Sequence, residues 1–306
     1  MTTAIAAEYP ARPVRLIVPF PASGSTDILA RILSQKLSDS LKQQVVVDNR
    51  PGAGGTLGSR IAMDAAPDGY TILLASTSTH AIGPSLYAKA PYNPLRDFTA
   101  ITEVATSPIV LMAAASVPAI SLKELIALAK SKPGQLNFGS SGIGTQFHLS
   151  GELLKLLAGI NMVHVPYKGT ALAYPDMFAG QIQVLFDLPS VALPFIKAGR
   201  VKALAVSGKR RAPVLPDLPT IAESGVPGYE ADLWFGMWGP ARLPRSLTTQ
   251  IQGELVRLMQ VPDVKERFTG LGMVAVGSTP EQFAVFVAAE FAKWEKVVKA
   301  SGARAE

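Results

Sequence analysis

The chain has 306 residues, of which 48% are apolar and 17% charged; it carries a net charge of +6 and no cysteine. That length allows two domains of ordinary size, while the missing cysteine excludes disulfides, thiolate chemistry and Cys-ligated metals. The basic balance favours anionic partners, but Lys and Arg are scattered except at Lys209-Arg210-Arg211, which excludes the basic stripe of a nucleic-acid surface.

Small residues ahead of Glu8 resemble either the tail of a trimmed secretory leader or a plain frayed start. Val14–Val18 is β-branched and reads as a strand. A loop over 19–27 follows, then a helix with apolar spacing at Ile28, Leu29, Ile32, Leu33 and Leu37. Val45-Val46-Val47 is a second strand and ends in the turn signal Asp48-Asn49-Arg50-Pro51-Gly52. Gly54-Gly55 leads into a helix containing Ile61 and Met63, and 71–74 is a third strand. Alternation of this kind predicts a parallel sheet with right-handed crossovers. Residues 98–114 form a nearly continuous apolar β run, broken at Ser107-Pro108.

A second alternation starts with a helix over 122–130, where Ser121 and Glu124 suggest a capping box. Strands at 136–138, 162–165, 182–186 and 203–206 are interleaved with helices at 145–157, 171–178 and 191–197. The proline-punctuated run 213–220 reads as a return linker. The apolar stretch 234–239 and helices over 247–259 and 280–300 have no sheet of their own, so they are expected to rejoin the first unit. The chain then crosses twice, near 105–108 and 213–230, with 1–106 plus 226–306 in one lobe and 107–225 in the other. No apolar run reaches the roughly 18 residues that span a bilayer, so no membrane insertion is expected.

Two loops stand out, Pro19 to Asp27 and Phe138 to Thr145. Each follows a strand and opens a helix, where backbone N–H groups, Ser and Thr hydroxyls and the positive end of a helix dipole suit an anion. Enzyme chemistry finds less support. Gly139-Ser140-Ser141-Gly142-Ile143 approaches a nucleophile elbow but has Ile143 in place of the second glycine. A hydrolase or decarboxylase using Ser141 and His148 is therefore the alternative reading. His164 lies in an apolar strand and reads as a core residue, whereas His80 follows a Ser/Thr-rich loop and is placed to touch a ligand. No two histidines have helical metal-site spacing, so no metal is expected. Gly52 to Leu57 misses the dinucleotide fingerprint at Leu57, and no Gly-Lys-Ser/Thr follows any loop. The stretch 52–58 then reads as a tight turn, with a place in the wall of the cleft as the lesser alternative. Asp27 and Asp187 make no evident acid/base pair. With no nucleophile, metal or cofactor motif, binding is favoured over catalysis and no cofactor is expected.

Several motifs in order resemble one family. They are Pro19-Phe20-Pro21-Ala22-Ser23-Gly24-Ser25-Thr26-Asp27, Asn49-Arg50-Pro51-Gly52-Ala53-Gly54-Gly55 and Pro67-Asp68-Gly69-Tyr70-Thr71 in the first half. Gly139-Ser140-Ser141-Gly142-Ile143-Gly144-Thr145 with His148, His164-Val165-Pro166-Tyr167-Lys168-Gly169, Leu215-Pro216-Asp217-Leu218-Pro219-Thr220 and Glu223-Ser224-Gly225 follow. The chain is similar, from about Tyr9 to its last helix, to the periplasmic solute-binding receptors of tripartite tricarboxylate transporters, the Bug receptors.

The resemblance implies an α/β, two-lobed periplasmic-binding-protein (Venus flytrap) fold that closes over a small organic carboxylate for delivery to membrane transporter subunits. By position it implies first-lobe contacts from Phe20, Ala22, Ser23, Gly24 and Asp27, and second-lobe contacts from Ser140, Ser141, Gly142, Thr145 and His148. Ser76, Thr77 and His80 would line the cleft, with Tyr167 and Asp187 on its far side. One departure stands out. The family pattern has two adjacent glycines where this chain has Ser23-Gly24.

Overall fold

A computed structural model describes residues 9–305. The first lobe begins with β1 (Val14–Val18), α1 (Ser25–Leu41), β2 (Val45–Asn49), α2 (Thr56–Met63) and β3 (Thr71–Ser76). A single π-helical turn over Ser78–Ile82 and a 3-10 turn over Gly83–Leu86 lead to β4 (Phe98–Ser107). The second lobe contains β5 (Val110–Ala114), α3 (Leu122–Ser131), β6 (Asn137–Ser140), α4 (Gln146–Ala158) and β7 (Val163–Pro166). It continues through α5 (Tyr174–Phe178), β8 (Val184–Asp187), α6 (Pro189–Lys197) and β9 (Val201–Val206). The chain then returns through β10 (Leu233–Pro240), α7 (Arg245–Gln260), α8 (Pro262–Gly270), β11 (Val274–Ala275) and α9 (Pro280–Ser301). The strands form a six-stranded sheet ordered β11-β4-β10-β3-β1-β2 and a five-stranded sheet ordered β7-β6-β8-β5-β9.

The alternation predicts a parallel sheet, but both sheets are mixed. β1 pairs in parallel with β2 and β3, and β6 with β7 and β8. β10 runs antiparallel to β3 and β4, and β5 antiparallel to β8 and β9. The crossings impose this. The parallel strands run toward the edge where the lobes meet, and a strand that enters a lobe from that edge must run away from it. Register shows the arrangement: Leu233 at the start of β10 lies beside Ser107, and Val110 at the start of β5 lies beside Asp187 and Val206. The C-terminal ends of β1, β3, β6 and β8 therefore face the interlobe edge, where open α/β sheets hold their ligands.

β10 is buried along its whole length and holds the first lobe's core together with α9. Gly236 permits the packing, because a Cβ there would lie 2.0 Å from the ring of Phe283 on α9. Helix α9 starts from a complete capping box between Thr279 and Gln282. The box expected for α3 is half formed. Ser121 accepts from the Glu124 amide, but the Glu124 carboxylate takes the Ile120 amide instead.

The proline run is not a free linker. Val206 donates to the Pro219 carbonyl, Ile221 donates back to Val206, and the Tyr229 hydroxyl donates to Ser150 in α4. Ile221, Val226 and Tyr229 are buried, so the segment behaves as an edge of the second lobe, and the chain leaves it at Ala231. Ser207 ties the two crossings together. Its hydroxyl accepts from the Ile109 amide at 2.9 Å and its carbonyl from the Ala231 amide at 3.1 Å.

Candidate functional site

Loop one runs from the end of β1 to α1. Gly24 caps that helix in an extended conformation with no side-chain bond. The first-turn amides of Ser25 and Thr26 therefore find no partner among the described residues and lie at the positive end of the helix dipole. Asp27, expected to touch the ligand, instead lies buried behind the loop and shapes it. It accepts from the Ser23 amide at 2.9 Å, from Asn49 Nδ2 at 3.0 Å and from Arg31 Nε at 2.9 Å. Burial alone would raise its pKa, but these donors outweigh burial and hold the carboxyl below its usual range. Asn49 also donates to the Phe20 carbonyl, fixing the other side of the loop. Ser23 has φ of 68°, in the left-handed region. That explains why the family pattern carries glycine here, and why a serine is strained.

Loop two is held from beneath by three residues expected at its surface. Ser140 is fully buried; its hydroxyl shares a 2.6 Å hydrogen bond with His164 Nε2 and accepts from the Gly142 amide. Thr145 caps α4, accepting from the His148 amide and donating to the Gly142 carbonyl at 2.8 Å. His148 Nδ1 accepts from the Gly144 amide at 3.1 Å, and its ring stacks on His164 with centroids 3.7 Å apart. Burial pushes the pKa of His148 down to about 3 and that of His164 to about 4. Both rings are neutral at neutral pH, as an accepting Nδ1 requires.

The paired loops are therefore not equivalent. At the N-terminus of α4 the His148 amide is taken by Thr145 Oγ1, and the Gln146 amide donates across to Ser78 Oγ at 3.3 Å. What loop two offers outward is half-buried Ser141, with exposed Ile143 nearby, while half-buried Gly142 has its amide and carbonyl engaged by Ser140 and Thr145. No hydrogen bond joins Ser141 to His148, whose Nδ1 is already engaged by Gly144. The nucleophile–base pair of the hydrolase alternative is not assembled.

A cavity of about 340 Å³ lies between the lobes. Phe20 from loop one, Ser78 and Tyr87 line one side, and Ile143, Gly144 and Thr145 line the other. Ala53, Gly54 and Thr56 also face it, so the glycine turn 52–58 is part of the wall and not only a tight connection. Gly144 is required at the contact. Its φ is 75°, and a Cβ would lie 2.2 Å from Leu86 Cδ1. Ala22, Ser23 and Gly24 are exposed on the loop beside the cavity, outside its lining.

Other expected contacts lie elsewhere. After β3 the π-helical turn rotates successive side chains inward, so of the loop 75–80 only Ser78 reaches the cavity. Ser76 is buried at the end of β3, and buried Thr77 accepts from the Trp234 amide at 2.9 Å. His80 is fully buried among Tyr92, Phe98 and Trp238, which pushes its pKa down to about 3. It is a core residue. His164, expected in the core, is half-buried and supports loop two. Asp187 is buried, accepts from the Tyr174 hydroxyl and the Leu188 amide, and is pushed up to about 6 by burial. The Tyr167 hydroxyl donates to Asp176 at 2.6 Å. Neither Asp187 nor Tyr167 lines the cavity. Leu86, Tyr87, Arg304 and Ala305 do line it, and no local sequence signal marks them.

A larger cavity, about 850 Å³, lies away from both loops, beside Tyr92, Arg96, Asp97, Glu295 and Lys299. Among the described residues no His, Asp and Glu side chains group in a way that could hold a metal ion. No helix among them is long and apolar enough to cross a membrane.

Two α/β lobes joined by two crossings, with a cavity where strand ends meet, define a two-lobed solute-binding protein. The chain belongs to the tripartite tricarboxylate transporter receptor family, whose sequence profile matches residues 29–303. It is similar to the Rpa4515 protein of R. palustris solved with adipate, at 35% identity and a TM-score of 0.86, covering 97% of this chain and 99% of that one. It is similar to the periplasmic binding protein BugD at 36% identity and a TM-score of 0.82, covering 97% and 99%. It is also similar to MatC from Rhodopseudomonas palustris with bound malate, at 32% identity and a TM-score of 0.82, covering 95% and 100%. The family and these relatives are solute-binding proteins and not enzymes.

Proposed function

We propose that this receptor captures a small organic carboxylate between its lobes and presents it to the membrane subunits of a tripartite transporter. The observation that carries the reading is the convergence of loop one and loop two on one cavity without an acidic residue in its lining. The open first turn of α1 and the hydroxyl and amide of Ser141 supply neutral donors for a carboxylate. Such donors avoid the desolvation cost of a buried counter-charge. The relatives solved with adipate and malate support the same ligand class.

Phe20, Ala22, Ser23 and Gly24 face the ligand from the first lobe, while Asp27, Ser140, Thr145 and His148 position the loops that hold it. The lobe boundaries fall near 107 and 231, the second later than the 226 expected from the sequence because Val226 and Tyr229 pack with the second lobe, and the segments around Ser207 act as the hinge. Membership in this family carries a periplasmic location. Residues 1–8, where the leader-like stretch lies, are outside the described part of the chain, and removal of a leader ahead of Glu8 belongs to this proposal.

A thermal-shift screen over mono-, di- and tricarboxylic acids, with each hit checked for turnover, tests the reading. A stabilising acid that is recovered unchanged is expected. Turnover of any acid or ester would overturn it, as would stabilisation only by non-carboxylate ligands.

A further inference from the structure

Past the end of α9 the chain does not trail into solvent. Gly302 closes the helix in the left-handed conformation with φ of 69°, its amide returning to the Val298 carbonyl at 3.1 Å. The Ala303 amide then donates to Ser301 Oγ, and the Ala305 amide donates to the Leu86 carbonyl at 3.0 Å. Ala303 and Ala305 pack against the core. These anchors hold Arg304 at the wall of the interlobe cavity, where it is the only charged side chain among the described lining residues.

We propose that Arg304 is a specificity-determining residue that reads a second anionic group on the ligand. The assignment rests on the reading of the cavity as a carboxylate site. Loop one and Ser141 offer only neutral donors, which suffice for one carboxylate. At about 340 Å³ the cavity lies near the small end of the range for small-molecule sites, roughly 300–1,000 Å³. A ligand spanning it from loop two reaches the side occupied by Arg304, where a neutral tail leaves the guanidinium unpaired and a second carboxylate meets planar, charge-assisted donors. The polar groups beside it are already engaged. The Tyr87 hydroxyl donates to the Ala53 carbonyl at 3.1 Å, and Thr56 Oγ1 approaches Tyr87 at 3.5 Å. Arg304 is therefore the group that distinguishes a dianion from a monoanion of equal length.

Calorimetric titration with matched pairs tests this: succinate against butyrate, glutarate against valerate, and adipate against hexanoate. The wild type is expected to prefer the dicarboxylate of at least one pair by about tenfold or more, as for a charge-assisted hydrogen bond. Arg304→Gln should remove that preference and leave the monocarboxylate within about twofold of its starting affinity. Ala305→Pro keeps the charge but deletes the amide that ties the tail to Leu86, and should produce the same selective loss. Arg304 is exposed and Ala305 half-buried, and unchanged thermal unfolding of the free variants serves as the folding control. Equal losses for both members of a pair, or no loss for either, would overturn the role of Arg304. So would a wild type that binds mono- and dicarboxylates alike, an outcome that leaves the carboxylate site itself intact. A wild type that binds no carboxylate of any pair would overturn both.

Discussion

Gly144→Ala is the most informative single substitution, because its two effects act on different states. Gly144 has φ of 75°, so any side chain pays left-handed strain of about 1–2 kcal/mol whether or not the lobes meet. The second effect needs the lobes together. The added methyl would lie 2.2 Å from Leu86 Cδ1 across the interface, and forcing an extra methyl into such a contact costs about 1–3 kcal/mol. The first effect lowers the stability of the free protein. The second lowers ligand affinity about fivefold to 150-fold, since only the closed form presses 144 against 86. Denaturant unfolding without ligand measures the first effect, and calorimetric titration with the tightest acid from the screen measures the second. Leu86→Ala added to Gly144→Ala should restore much of the affinity without restoring the lost stability. Unchanged affinity in the single variant, or no rescue in the double, would refute a closure that brings loop two onto the 83–86 turn.

Ser23→Gly relieves the φ of 68° in loop one and should stabilise the free protein by about 1 kcal/mol in denaturant unfolding. Acid weakens loop two by a route that can be signed. His164 is held at about 4 by burial and the nearby Lys155 charge. Its unfolded form titrates near 6.5, so its contribution is full above about pH 6.5 and is lost as pH falls toward 4. The stability advantage of wild type over His164→Asn should shrink across that window in melts recorded from about pH 7.5 to 4.5, and a constant difference would count against the assignment. Glu103 has the opposite sign. Burial first, then the charges of Glu290 and Asp232, push its carboxyl up to about 7, so stability is lost as pH rises from the usual carboxylate range through that value. Glu103→Gln should raise the melting temperature at about pH 8 and change little near pH 4.5.

The positions of both loops were legible from the sequence because their signals are local: a β-branched run, small residues, then helical periodicity. The return of 233–301 to the first lobe was legible from the helices that lacked a sheet. Side-chain direction within the loops was not. Whether Thr145 faces a ligand or caps α4 depends on one rotamer, and either role calls for the same residue type. His80 was placed by its neighbours in sequence, and one π-helical turn sends it into the core instead. β11 is two residues long, too short to carry a period, and α8, nine residues opened by Pro262 at its first turn, had no reading of its own. Arg304 joins the site only through a bond between Ala305 and Leu86, more than two hundred residues apart in sequence, and no periodicity encodes such a contact.

A crystal structure grown with the tightest-binding acid of the screen is the most direct measurement. The expected result is a carboxylate seated between the first turn of α1 and the loop carrying Ser141 and Gly142, with the rest of the ligand in the cavity beside Phe20 and Thr145. Ligand density beside Tyr92 and Arg96 in the larger cavity, with none between the two loops, would contradict it.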